Sequence, residues 1–312
     1  VVITNFNLLI TLKKYKMMSS APLRKELHEE NRLSWNEATK AHNSHKGDQA
    51  KFFQEGGCTL FPEEKELLGN IAGLSLVHLQ CNAGQDTLSL VQLGAKVTGI
   101  DISDEAIAFA QKLSEESGIS ASFHRADIFD WLEESAKKNE QFDIVFSSYG
   151  AVCWISNLNL WAKGISNILK PGGRFVVVDF HPVAMMFDTD WSHKFAYFSE
   201  GKPLTCEDGI GDYVAESSGS LTPWGYEKGI ENFHNPYRSH EFQWGIGEIV
   251  TALLQAGLTL EVLKEYPYSN GCKLFERMRE ASGRRMFPPL DVPNVPLMYG
   301  IVARSLNSHT MP

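Results

Sequence analysis

The apolar run Leu74-Ser-Leu-Val-His-Leu79 leads into the loop Gln80-Cys-Asn-Ala-Gly84, and a helical pattern follows from Asp86 to Leu93. Strand, tight loop and helix start, in that order, aim backbone N–H groups and the positive end of a helix at an anionic group. Asp101 lies 17 residues after Gly84, closing the next apolar run, Ala95-Lys-Val-Thr-Gly-Ile100. A carboxylate there can accept both hydroxyl protons of a ribose. Dinucleotide-binding folds use an acidic residue in the same way, so this pair alone leaves the cofactor open. Asp127 follows a third run, Ala121-Ser-Phe-His-Arg125, placed to accept from an adenine amino group with Ile128 against the base.

These residues have to be gathered by a scaffold. Helical patterns recur at Asp104 to Glu116 (with Ile107, Ala110 and Leu113 apolar), near Phe129 to Lys138, and from about Leu158 to Leu169. Further strands read as Phe142 to Phe146 and Arg174 to Asp179. Five strands separated by helices imply right-handed crossovers and a parallel sheet covered on both faces. The expected fold is α/β, a doubly wound, Rossmann-like, mostly parallel sheet. Ligands of such sheets sit beyond the carboxyl ends of the strands, here Gln80, Asp101, Asp127, Ser147 and His181. The alternation then stops for about 60 residues. That stretch, about 182–245, is expected to be a lid or insertion, rich in aromatics: Trp191, Phe195, Tyr197, Phe198, Trp224, Tyr226, Phe233, Tyr237, Phe242 and Trp244. Helix Gly247 to Ala256 and strands Leu258 to Glu265 and Leu297 to Arg304 close the pattern. Upstream, residues 17–60 read as cap helices, polar with a few apolar positions, and residues 1–16 as a disordered extension. The main domain is expected over 61–305, with a tail at 306–312.

Gly84, Asp101, Ala126-Asp127, Phe142-Asp143 and Leu169-Lys-Pro-Gly-Gly173 together resemble, in order and spacing, the class I methyltransferase family that uses S-adenosylmethionine. The resemblance is strong over about residues 60–182. The stretch His78 to Ser89, with Trp35-Asn36 and Asp179-Phe-His-Pro182, is similar to a small-molecule subgroup of largely unassigned substrate. The resemblance implies a seven-stranded sheet with an antiparallel last strand and S-adenosyl-L-methionine as cofactor. It implies cofactor contacts from His78, Gln80, Asn82, Gly84, Asp86 and Thr87 on the first loop and helix. Asp101, Ile102, Asp127, Ile128 and Ser147 would complete that set. One departure stands out: the family's acidic-x-Gly-x-Gly-x-Gly loop is here His78-Leu-Gln80-Cys-Asn82-Ala-Gly84. Asn tolerates positive φ, so Asn82 can keep the turn. The Gln80 amide could bond the methionyl end instead.

Methyl transfer from a sulfonium is an in-line displacement, so the protein supplies mainly proximity and orientation. A base is needed only where the acceptor carries a proton. His181 is the first candidate and Tyr149 the second, both just past strand ends. Trp35, His42 and Trp154 are expected to face the acceptor, and His45 to be solvated. The insertion's aromatics could cage a cationic product, or form the insertion's own core. His193, His234 and His240 lack metal-ligand spacing, and no metal is expected.

Composition narrows the classes. With 312 residues, 43% hydrophobic and 21% charged, the chain can bury one sizeable core. A net charge of −9 without a dense basic tract argues against nucleic-acid partners, although Arg277, Arg279, Arg284 and Arg285 could form a local patch. Val1 to Ile10 is too short to span a bilayer, so no membrane partner is expected. Five scattered cysteines, Cys58, Cys81, Cys153, Cys206 and Cys272, read as reduced thiols of a cytoplasmic protein. The expected partner is a small-molecule methyl acceptor bearing N, O or S; oligomeric state is not legible. Alternatives are a methyltransferase acting on protein or RNA and a non-catalytic cofactor-binding subunit. An NAD-dependent oxidoreductase is disfavoured because GxGxxG is absent.

Overall fold

The computed structural model describes residues 22–306. The expectations for residues 1–16 and for 307–312 of the tail fall outside the described residues. Seven strands form one sheet: β1 (Ser75–Leu79), β2 (Lys96–Asp101), β3 (Ser122–Arg125), β4 (Phe142–Ser148), β5 (Leu169–Phe180), β8 (Leu258–Tyr266) and β12 (Met298–Ser305). Their order is β3-β2-β1-β4-β5-β12-β8. The first five run parallel, and β12 is antiparallel to both β5 and β8. This is the doubly wound sheet that the strand–helix rhythm implied, with the seven strands and antiparallel last strand that the resemblance implied.

Side chains alternate across the sheet with period two, and both faces are buried. Val77, Leu79, Val145, Phe175 and Val177 pack on one face under α6 (Ile128–Lys137), α7 (Leu158–Ile168) and α9 (Ile246–Gln255). Leu76, Ile144, Phe146, Val176 and Val178 face the other way, against α3 (Pro62–Leu68) and α4 (Gln85–Gln92). Beyond β2, α5 (Asp104–Ser117) packs Ile107, Ala110 and Leu113 with Phe123 and with Phe53 of α2 (Gln49–Gln54). The order reverses between β1 and β4, both starting from the sheet's centre, and the crevice above that point is where a ligand fits.

Three segments roof the crevice. The first, α1 (Lys25–Ser44), buries a face that is mostly polar: His28, Asn31, Ser34, Thr39 and His42 beside Leu27, Ala38 and Ala41. Hydrogen bonds hold it down, from Asn31 Nδ2 to the His240 carbonyl (2.9 Å) and from Ser34 Oγ to the Tyr237 carbonyl (3.2 Å). The second is the stretch after β5, with the antiparallel pair β6 (Pro203–Cys206) and β7 (Ser239–Phe242) and the short α8 (Tyr213–Ser217). The third leaves the sheet between β8 and β12 as β9 (Ser269–Asn270), β10 (Arg279–Ala281) and β11 (Arg285–Phe287), a second small sheet. The sequence pattern gave no sign of this last excursion.

Candidate functional site

A cavity of about 550 Å³ opens above the carboxyl ends of β1, β2 and β4, a size suited to a small-molecule ligand. Its floor is the first loop. Gln80 has φ 56° and Asn82 φ 47°, so both replacements of the family's glycines hold left-handed backbone. Such a conformation costs an L-residue about 1–2 kcal/mol, and local bonds offset it. Asn82 Oδ1 accepts the Ala83 N–H (2.7 Å), and Gln80 Nε2 donates to the Ala151 carbonyl (2.8 Å). Gln80 Oε1 is buried on the cavity wall with no partner among the described residues.

Gly84 has φ 82° and caps α4, but it does not line the cavity. A Cβ there would lie 2.7 Å from Ala110 Cβ and 3.0 Å from the Phe123 ring. Its glycine is required for close packing of helix on sheet. Asp101, on the wall, accepts the N–H of Asn82 at Oδ2 and that of Ser103 at Oδ1, both at 2.8 Å. Burial raises its carboxyl to about 6 despite those bonds. Ionised, it keeps lone pairs free for two further donors.

Asp127 caps α6 through the Phe129 N–H (2.8 Å), and its other oxygen is 2.7 Å from His28 Nδ1. His28 Nε2 in turn lies 2.8 Å from Ser156 Oγ, and the ring stacks on Phe129. Burial pushes the Asp127 carboxyl up, and His28, the Phe129 N–H and Lys25 together more than offset it, so the net shift is downward. The acidic position of the loop is His78, whose Nδ1 pairs with Thr87 Oγ1 (2.9 Å); burial lowers it to about 3, so it is neutral. Lys46, from just beyond α1, reaches the same space. Its ammonium has no carboxylate within 4.0 Å among the described residues, and burial lowers it to about 8 against the pull of Asp86 and Asp212.

The other end of the cavity lies past β4. Four N–H groups, of Gly150, Ala151, Val152 and Phe180, bond the buried Asp179 carboxylate and fix the loop that carries Tyr149. Tyr149 has φ 35°, and its hydroxyl accepts from Asn270 Nδ2 at 2.9 Å. Beside it the fully buried Glu64 accepts the Phe61 N–H at Oε2, while Oε1 has no partner among the described residues. Burial first, then the nearby Asp86, raises the Glu64 carboxyl well above its ordinary value, which favours its neutral form. Trp35 and Trp154 meet edge to face at 5.6 Å on the wall.

The cavity thus brings together His78, Gln80, Asn82, Asp86, Asp101, Ile102, Asp127, Ile128, Trp35, Tyr149 and Trp154. Five expected residues stand elsewhere. Ser147 shares the face of Val145 and Val177, so strand alternation turns it under the helices and its neighbour Ser148 lines the cavity. Thr87 is consumed by His78. Gly84 packs against α5 and β3. His42 lies behind the wall, bonded through Nε2 to the Gly211 carbonyl (2.9 Å) and lowered to about 4 by burial. His181, the expected base, is outside: Nδ1 accepts the Val183 N–H (3.0 Å) and Nε2 meets Glu265 Oε1 (2.8 Å). His45 is buried rather than solvated, on Asp212 at 2.8 Å. Of the insertion's aromatics named above, Trp224 lines the cavity, while Trp191 packs on Phe275 at 4.1 Å. The arginines form no patch: Arg285 pairs with Glu63, Arg277 with Asp291, and Arg279 bonds the Pro288 carbonyl.

His28, Lys46, Glu64, Asn270 and Arg284 were missed. A signal existed for the first in the polar residues at helical spacing along α1. For Asn270 and Arg284 there was none, since both arrive through the excursion.

Residues 72–223 match a family model described as a methyltransferase domain. Curated relatives include ubiquinone biosynthesis O-methyltransferases of Bartonella bacilliformis and of Pseudomonas syringae pv. tomato. The first is 28% identical over 145 residues, 46% of this chain and 56% of the relative. The second is 29% identical over 120 residues, 38% of this chain and 50% of the relative. The chain therefore spans about half the length of the curated relatives it matches. In fold it is similar to a candidate S-adenosylmethionine-dependent methyltransferase from Listeria monocytogenes, with TM-score 0.51, 18% identity, and coverage of 78% of this chain and 97% of that one. The matched segment spans strands β1 to β5 and the ligand crevice above them, so this part of the chain is a methyltransferase domain, with the fold of S-adenosylmethionine-dependent methyltransferases.

Proposed function

We propose that the protein transfers a methyl group from S-adenosylmethionine to a small-molecule N, O or S acceptor, with oxygen favoured by the O-methyltransferase names of its relatives. The observation that carries this reading is one continuous cavity joining the first loop and Asp101 to Tyr149. The cofactor, when bound, supplies an electrophilic methyl on a sulfonium whose thioether is a ready leaving group. Asp101 would hold the ribose hydroxyls. The unpartnered Gln80 Oε1 fits the methionyl ammonium, a role that the neutral His78 cannot take. Lys46 would face the methionyl carboxylate beside the α4 N-terminus, where both charge and dipole favour an anion. Ile102 and Ile128 would enclose the adenine, and Asp127 would border it while anchored by His28.

On the acceptor side, Trp35 and Trp154 would form the wall. Tyr149, held by Asn270, would position the acceptor hydroxyl by hydrogen bonding, with Glu64 behind it and the proton lost on transfer leaving to solvent. The stretch after β5, about 182–245, would act as the lid, and α1 and α2 as the cap, a polar assembly that can open without exposing a large apolar face. No helix among the described residues is long and apolar enough to cross a membrane; a cytoplasmic location is part of the proposal. The test is incubation with methyl-labelled cofactor and a small-molecule extract, after calorimetry with S-adenosylhomocysteine. Label in a small product is expected, with Tyr149→Phe slowing transfer by about 10²-fold or more. Failure to bind S-adenosylhomocysteine would sink the reading.

A further inference from the structure

The excursion between β8 and β12 is not needed to complete the sheet, yet it delivers Arg284 to the cavity. Arg284 follows Gly283, and both hold positive φ, 60° and 76°. Left-handed backbone at an arginine is unfavourable, so the turn is held by its surroundings. The guanidinium lies over the Phe61 ring, 4.3 Å from its centroid, and donates to the carbonyls of Ser220 (3.0 Å) and Thr59 (3.5 Å). Two carbonyl bonds leave part of its five-donor fork unused. No carboxylate lies within 4.0 Å among the described residues, whereas the adjacent Arg285 is paired with Glu63.

The groups in electrostatic reach do not neutralise it. Asp86, Glu64, Tyr149 and Glu280 act on it from a distance. Burial pushes the Glu64 carboxyl and the Tyr149 phenol towards their neutral forms. Asp86 is shared with Lys46 and bonded by Thr59 Oγ1. Glu280 is bonded by Ser220 Oγ. A guanidinium does not shed its proton, and a half-buried cation without a partner is unfavourable unless a ligand anion completes it. Across the same wall, Tyr149 and Asn270 present a hydroxyl and an unpartnered Oδ1, groups suited to an acceptor hydroxyl.

We propose that Arg284 docks an oxyanion, carboxylate or phosphate, carried by the acceptor at a distance from the atom that is methylated. This rests on the methyltransferase reading above. The fork of Arg284 gives two parallel charge-assisted bonds to either group, and the methylated product keeps its negative charge.

The test splits a small-molecule extract on an anion-exchange resin at neutral pH and offers each fraction with methyl-labelled cofactor. Label is expected from the retained fraction, in a product whose mass shows a carboxyl or phosphoryl group and tells which. Arg284→Gln should raise KM for that acceptor by about tenfold or more, and Arg284→Lys, which keeps the charge without the fork, by less. Binding of S-adenosylhomocysteine should stay unchanged in both. Label arising only from the unretained fraction, or an unchanged KM in Arg284→Gln, overturns the assignment. So does an equal loss of S-adenosylhomocysteine binding in the two variants, which would mark a packing role. If the unmutated protein binds S-adenosylhomocysteine but labels nothing in either fraction, the transfer reading itself falls.

Discussion

Acidification perturbs Asp101 without any mutation. Burial raises its carboxyl to about 6, even though the N–H groups of Asn82 and Ser103 favour the charged form. In the proposed binding mode ribose hydroxyls would donate to the ionised form, so cofactor binding would select it. If only that form binds, affinity for S-adenosylhomocysteine is nearly full at about pH 7, halves near pH 6 and falls roughly tenfold by about pH 5, or ~1.4 kcal/mol. Binding at the acid end must therefore release a proton, visible in calorimetry as a heat that varies with the buffer's ionisation enthalpy. The fold feels the opposite sign. A carboxyl raised above its unfolded value favours folding at low pH, and that contribution is lost as pH rises through the folded value. Ionised Asp101 then costs roughly 3 kcal/mol at neutral pH. Donors from the ribose offset that cost, so the ligand-induced rise in Tm should be larger near neutrality than at about pH 5. Asp101→Asn should weaken binding and abolish its slope with pH. Flat affinity across this range in the folded protein, or a slope that survives in Asp101→Asn, would refute the assignment of Asp101 to the ribose.

Gly84→Ala combines a left-handed φ with a Cβ 2.7 Å from Ala110 Cβ and should cost about 2–4 kcal/mol in urea unfolding; an unchanged midpoint would mean the helix can move away freely. Lys46→Met should weaken S-adenosylhomocysteine about tenfold while leaving adenosine, which lacks the carboxylate, unaffected. Equal losses for both ligands would show that Lys46 acts elsewhere. His181→Gln should lower stability by about 1 kcal/mol through its bonds to Val183 and Glu265 and leave the pH profile of turnover unchanged; loss of the acid-side limb would restore His181 as the base.

The sheet was legible because a strand buried on both faces reads as an unbroken apolar run, and each helix between such runs declares itself by a different period. Asp101, Asp127 and the first loop were legible for the same reason, since each sits at the end of a strand whose position is set by that pattern. What a strand end does not reveal is its face: Ser147 and Ser148 are equivalent in composition, and only the side of Val145 decides between them. Histidines were the least legible residues. His42, His45 and His181 are settled by Gly211, Asp212 and Glu265, partners that lie tens of residues away and that no local pattern announces. The excursion with Asn270 and Arg284 escaped because its strands are only two or three residues long, too short to show alternation.

The replacement of two glycines in the first loop has a structural reason that composition alone hid. Positive φ is kept at Gln80 and Asn82, so the backbone takes a left-handed path there without glycine, at some energetic cost. For Asn82 the return is a local bond to Ala83. For Gln80 it is a tie across the cavity floor to the Ala151 carbonyl, in the loop whose N–H groups bind Asp179 and which begins at Tyr149. A glycine could not span that gap. The first loop and the Tyr149 loop are thereby fixed relative to each other by a side chain, and the proposed methyl transfer would depend on their separation because orientation supplies most of the catalysis. The same amide leaves its oxygen free on the cavity wall. On the proposed reading one residue would set the geometry between donor and acceptor and offer the methionyl ammonium its bond, which would account for a glutamine at a position where bare backbone would have sufficed for the turn alone.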